Sequence, residues 1–321
     1  MRRAWSARSS MMTSAFAVRS AAAGIGVALC AMASVVVPGT AAAQGPDCPA
    51  AAVYPVLPGS TPLDSAENLG YDADGNLWVS RVFRNMVQRY DSAGRITAEV
   101  AVDAPGAVRA GPDGQLYVVY GDSAAGLLPG AHDSGVVRFD PRADHPVPQR
   151  FVSGLGMANG AAFDSAGNLQ VADTARGVVR VRADGSIDAD WSGHTALPGV
   201  NGIVVQGDSV YTTLFASATG RIVRIPIDAP SAQTTVAAVT LGSVGVTALP
   251  DDLAAGSDGM LYNATTTGKL VRVDPAGRAG LCTVADLGVP VTAVTAVPGD
   301  DRSLLVSSAL GGVLRIVLAP R

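Results

Sequence analysis

Short apolar runs, each four or five residues long and mostly flanked by Gly, Asp or Asn, recur along the chain from about residue 66 to the C-terminus. They align as copies of one unit: a loop, a strand, a D-x-x-G-type turn, a second strand, a tight turn and a third strand. The copies begin near Glu67, Gly106, Asn159, Asn201, Asp251 and Val294, roughly 45 residues apart on average. Their turns include Asp72-Ala-Asp-Gly75, Pro112-Asp-Gly114, Asp164-Ser-Ala-Gly167 and Gly256-Ser-Asp-Gly259. Second strands follow as Asn76-Leu-Trp-Val79, Gln115-Leu-Tyr-Val118, Asn168-Leu-Gln-Val171 and Met260-Leu-Tyr262, and third strands as Met86-Val-Gln-Arg89, Gly135-Val-Val-Arg138 or Gly177-Val-Val-Arg180. Short strands at this spacing, with Asp-Gly and Gly-Asn pairs to supply positive φ, predict an all-β repeat protein. Six copies predict a six-bladed β-propeller of four-stranded blades over residues 61–321.

The last copy ends at Pro320 after its third strand, which would leave an open sheet edge. Residues 44–60 are expected to close the ring, with Ala50–Leu57 as the missing outer strand and Pro55 confining it to edge pairing. Cys48 lies just before that strand and Cys282 in the outer strand of blade five, so a Cys48–Cys282 disulfide is expected to staple the closure.

Residues 1–43 break the pattern. Arg2, Arg3, Arg8 and Arg19 form a basic leader without acids, an apolar run covers about Ala21 to Val37, and Ala41-Ala42-Ala43 precedes Gln44. This predicts a signal peptide cleaved after Ala43, hence a secreted or periplasmic protein with no membrane role afterwards. Export also suits the disulfide. Losing four of 23 basic residues, against 27 acids, takes the net charge from −4 to about −8. That excludes the basic footprint of nucleic-acid binding. Low charge and few aromatic residues point to no protein partner, leaving a small molecule as the expected ligand.

Candidate chemistry sits at the copy starts. Glu67 lies ten residues before Leu77, Asn159 ten before Leu169 and Asp251 ten before Leu261, while Asn201 lies nine before Val210. Equivalent positions of propeller blades converge on the central channel. Two carboxylates and two amide oxygens there would hold one divalent cation, calcium first, with magnesium, manganese or zinc as alternatives. Gly106 and Val294 occupy the matched place in blades two and six, so the polar set is not simply a blade consensus.

Met157-Ala-Asn159-Gly160, Val200-Asn201-Gly202 and Pro250-Asp251-Asp252-Leu253, with Glu67 upstream, resemble the senescence marker protein/gluconolactonase family of six-bladed propellers. The resemblance covers nearly the whole chain after the leader. It implies a metal held by Glu67, Asn159, Asn201 and Asp251, and hydrolysis of a lactone, ester or organophosphate, with Asp251 as base or nucleophile. Met157 stands where sugar lactonases of that family carry a substrate-binding Arg, so a sugar-acid lactone is not expected. Asp252 replaces the family's usual Gly and becomes a further substrate-side candidate. His132 is another, in a blade-two insertion, Gly121–Ser134, on the face where the copies start. Two other readings stay open: a streptogramin-lyase-like elimination, which needs a base such as His beside the metal, and a non-catalytic binding propeller with a structural ion.

Overall fold

The computed structural model describes residues 48–320, apart from 60, 242–244 and 279. The expected leader and its cleavage point lie outside these residues. Local structure starts from the turns. Asp72 Oδ1 accepts from the backbone N–H of Asp74 (3.0 Å) and Asn76 (2.9 Å), and its other oxygen from the Trp78 indole (2.9 Å). Asp164 repeats this with Ala166, Asn168 and the Gln170 amide. Gly75 and Gly167 close these turns at φ 81°, a conformation glycine adopts freely. The Asp72-x-Asp74-Gly75 run is thus a hairpin turn rather than a calcium loop.

Each turn joins an inner strand to the second strand of a blade. Blade one is Ala66–Tyr71, Leu77–Arg81, Met86–Tyr90 and Ile96–Ala101; blade two is Val108–Ala110, Leu116–Tyr120, Ser134–Phe139 and Gln149–Leu155. Blade three is Ala158–Phe163, Leu169–Asp173 and Gly177–Val181; blade four is Val200–Gln206, Ser209–Leu214, Arg221–Pro226 and Thr234–Ala238. Blade five is Pro250–Ala255, Leu261–Thr265, Lys269–Val273 and Leu281–Asp286. Blade six takes Val291–Val297, Asp300–Ser308 and Val313–Leu318 from the C-terminus and Ala51–Leu57 from the N-terminus. Pairing is antiparallel throughout, and the closing strand pairs from Ala51 opposite Leu318 to Pro55 opposite Leu314, then shifts register by a bulge before Leu57 opposite Val313. The Cys48–Cys282 disulfide ties the segment before that strand to the outer strand of blade five.

The β-propeller is therefore as expected, with one local correction. Blade three has three ladder strands; a Val181–Ile187 bridge and the short helix Ala189–Gly193 take its outer edge. Asp188 caps that helix and Trp191 packs inward, so burial of one indole replaces a fourth strand there.

The core is divided among the spaces between blades. One cluster joins Trp78 and Val87 of blade one to Val108, Leu116 and Phe139 of blade two, with the Trp78 and Phe139 rings 5.4 Å apart. Equivalent clusters lie between each other neighbouring pair, including blades six and one. Second strands are buried on both faces, as Leu77–Arg81 is throughout, whereas the outer strand Ile96–Ala101 is mostly exposed. This layering puts the inner strands side by side around a channel.

Candidate functional site

The candidate residues sit where the inner strands lose regular pairing. The ladder shifts register between Ala66 and Asn68, Ala158 and Ala161, Val200 and Ile203, and Pro250 and Leu253. Glu67, Asn159, Asn201 and Asp251 occupy those irregular steps. Such a bulge re-aims a side chain out of the sheet's alternation. The same shift in blade six falls between Val291 and Ala293, so Thr292, not Val294, is the sixth equivalent. Thr292 spends its hydroxyl on the Ala66 carbonyl and Ser307.

The glycines beside these residues have a packing role. A Cβ on Gly160 would lie 2.5 Å from the Asn201 carbonyl oxygen, and one on Gly202 2.4 Å from that of Asp251. The inner strands of blades three and four thus lean on the backbone of the next blade's candidate residue. Thr213 locks the blade four–five contact by accepting from Gly202 N–H (2.8 Å) and donating to the Asp251 carbonyl (2.7 Å).

Four carboxylates gather at this level: Glu67, Asp122, Asp251 and Asp252. Asn159 Nδ2 donates to Asp122 (2.9 Å) and also bonds Glu67, bridging the two. Burial pushes Glu67 up to about 8, reinforced by the charge of Asp122 and opposed by the Asn159 hydrogen bond. Asp122 is pushed up to about 7, again chiefly by burial. Burial and the charges of Glu67, Asp252 and Asp122 hold Asp251 well above the usual carboxylate range, although Thr266 Oγ1 donates to it at 3.2 Å. Asp252, only 1% exposed, is also raised by burial, with Arg109 pulling the other way. Two buried acceptor oxygens at these positions have no hydrogen-bond partner, Asn201 Oδ1 and Asp252 Oδ1. Among the described residues no three His, Cys, Asp or Glu side chains form a metal-holding group by themselves, so a cation here would draw on amide oxygens as well.

Asp252, next to Asp251, faces Asn68, next to Glu67: Asn68 Nδ2 donates to Asp252 Oδ2 at 3.1 Å. Arg109 of blade two donates to Asn68 Oδ1 (2.8 Å) and reaches the same Asp252 oxygen at 3.3 Å. Asp122, Asn68, Arg109 and Thr266 are the residues that reading the repeats missed. Asp122 had one available signal: it opens the blade-two insertion on the face where the inner strands begin.

That insertion forms a short turn, Ala124–Leu127, whose Gly126 packs on Gly156 and Met157. Met157 is half-buried, and buried Asp173 holds its backbone N–H (3.1 Å) and that of Gly156 (2.8 Å), so Asp173 shapes the approach to Asn159. A cleft of about 620 Å³ opens beside Asp122, lined by Phe83, Ala104, Gly126 and Asp133. His132 is exposed and accepts a hydrogen bond from Arg176, outside the hydrogen bonds of the carboxylate cluster. His194 is exposed and bonded to Ser231, and His145 is exposed on blade two.

Comparison with known proteins adds fold relatives. No family model matches the sequence, and no curated protein matches it. Among solved structures, the chain is similar to a gluconolactonase of Xanthomonas campestris, with TM-score 0.62, 14% identity, and 89% of this chain and 99% of that one covered. It is similar to virginiamycin B lyase of Staphylococcus aureus, with TM-score 0.57, 12% identity and coverage of 84% and 100%. A third relative is the PQQ-bound aldose sugar dehydrogenase of Streptomyces coelicolor, with TM-score 0.60, 18% identity and coverage of 84% and 98%. At these identities the likeness is one of fold: the chain is a propeller of the architecture that gluconolactonases and streptogramin B lyases share.

Proposed function

We propose that the protein is an exported, divalent-metal-dependent hydrolase of a lactone or related ester, akin to the gluconolactonase-type propellers. One observation carries the reading: a buried set of carboxylates and amides at the starts of the inner strands, with Asn201 Oδ1 and Asp252 Oδ1 unpaired. Buried acceptors and crowded carboxylates are costly without a counter-charge. The donor set is all oxygen, which suits calcium before softer metals.

Glu67, Asn159, Asn201 and Asp251 would hold the ion. When bound, such an ion polarises an acyl carbonyl oxygen. The remaining chemistry belongs to the chain. Asp251, buried among the other carboxylates of the cluster, takes the proton of the attacking water. Thr266 orients that carboxylate. Asn159 bridges Asp122 and Glu67 by bonding both. The cleft beside Asp122 has a size suited to a small organic substrate.

The elimination reading requires a well-placed base. A solved form of the S. aureus lyase with a single histidine-to-alanine change is described as catalytically inactive. Here the three histidines are exposed, with His132 engaged by Arg176 and His194 by Ser231. That favours carboxylate chemistry and hydrolysis.

The test uses the protein beginning at Gln44 and its Asp251→Asn variant, assayed for metal content and for turnover of small lactones and aryl esters before and after chelation. One metal per chain, with turnover lost on chelation and in the variant, is expected. Bound metal without turnover would favour a binding propeller, and no metal would overturn the donor-set reading.

A further inference from the structure

The candidate centre gathers four carboxyl groups, which with all of them ionised carry more negative charge than one divalent cation balances. Glu67, Asp122, Asp251 and Asp252 act on one another electrostatically, and Arg109 is the basic residue that bears on Asp252. Arg109 lies on the inner strand of blade two, three residues after Gly106, the blade-two counterpart of the candidate ligands. Its guanidinium donates to Asn68 Oδ1 (2.8 Å), to the carbonyls of Val108 (2.9 Å) and Leu69 (3.4 Å), and to Asp252 Oδ2 (3.3 Å). These contacts join blades one and two to blade five, 143 residues away in sequence. The Arg109 side chain is 20% exposed and that of Asp252 1%.

The position after each candidate ligand explains why the tie exists. Blades three and four have Gly160 and Gly202 there, and the neighbouring backbone fills the space. Blades one and five have Asn68 and Asp252 instead, and these two side chains bond each other across the channel. Asp252 Oδ2 is thereby saturated by Asn68 and Arg109, while Oδ1 stays unpaired.

We propose that Arg109 is a positioning residue that acts as a built-in counter-charge: it holds Asp252 across the channel and limits the carboxylate cluster to one divalent cation. The metal half of this rests on the proposed function; the tie itself does not. Removing the guanidinium leaves Asp252 Oδ2 with Asn68 as its remaining partner and adds net negative charge to the candidate centre.

Two measurements test it, using calcium ion as the probe. In metal-free protein, Arg109→Met strands a buried carboxylate and is expected to lower the folding equilibrium constant on the order of a hundredfold or more; the Arg109→Met/Asp252→Asn double variant recovers most of that. In calorimetric titration, Arg109→Met is expected to bind calcium roughly tenfold more tightly or to take a second equivalent. The double variant and Arg109→Lys are expected to stay near the wild type. A merely structural lesion would weaken binding, not tighten it. Additive effects in the stability cycle, or unchanged or weaker calcium binding in Arg109→Met, would overturn the proposal. A wild type that binds no calcium would overturn the metal reading together with the counter-charge role, and the stability cycle would then report on the tie alone. Should Arg109→Met fail to fold, a double variant that folds supports the tie, and one that also fails opposes it.

Discussion

Without its cation, the protein should lose stability as pH rises from 5 to 8. The perturbation falls on Glu67 and Asp122, half-buried carboxylates bridged by Asn159. Glu67 stands at about 8 in the fold against an ordinary 4.5. A carboxyl with a raised folded-state pKa keeps its proton where the unfolded chain has lost it. Unfolding then releases a proton, and stability falls with pH between the two values. At about 1.4 kcal/mol per unit, Glu67 alone sets a ceiling of about 5 kcal/mol. Asp122 does not double this, because the two carboxyls hydrogen-bond each other and can share one proton. Solvent screening at the half-buried Glu67 reduces the loss to roughly 2–3 kcal/mol. Asp300, held down at about 2 by Ser303, the Arg302 backbone and Arg315, titrates below this window. Calcium reverses the sign, since it stabilises the ionised carboxylates and competes with their protons. Denaturant unfolding of metal-free protein, prepared by dialysis, at pH 5, 6, 7 and 8, with and without millimolar calcium, measures both arms. A metal-free protein whose stability is flat or rising over this range would refute the crowding of these carboxylates.

Two further outcomes test the architecture that holds the site. Gly202→Ala should destabilise the fold by about 1–3 kcal/mol in denaturant melts, because its Cβ would lie 2.4 Å from both the Asp251 carbonyl oxygen and the Asp252 Cα. No left-handed φ is involved, so a wild-type melt for this variant would mean the blades separate more easily than their contacts indicate. Reducing the Cys48–Cys282 bond, which closes a sequence separation of 234, should lower stability by about 2–5 kcal/mol and release the closing strand first. Hydrogen exchange over Ala51–Leu57 would register that release, and unchanged protection there would oppose it.

The repeats, the turns and the ring closure were legible in the sequence because each depends on neighbours along the chain. The turn aspartates bond backbone two and four residues on, and strand alternation sets which side chains face the next blade. The unpaired third strand at the C-terminus signalled a partner, and Ala51–Leu57 supplies it. Equal offsets from Glu67, Asn159 and Asp251 to their second strands likewise placed these residues at equivalent irregular steps. Tertiary structure alone decided what surrounds them. Asn68 and Asp252 are 184 residues apart, Asp122 enters from an insertion, and Arg109 lies off the repeat position altogether. The same is true of the glycines after Asn159 and Asn201, which admit the next blade's backbone. Thr292 replaced Val294 as the sixth equivalent because a bulge shifts register by a step that hydrophobic spacing does not record. Local periodicity determines elements and their order, but the charge balance of a channel is set only when six distant segments close around it.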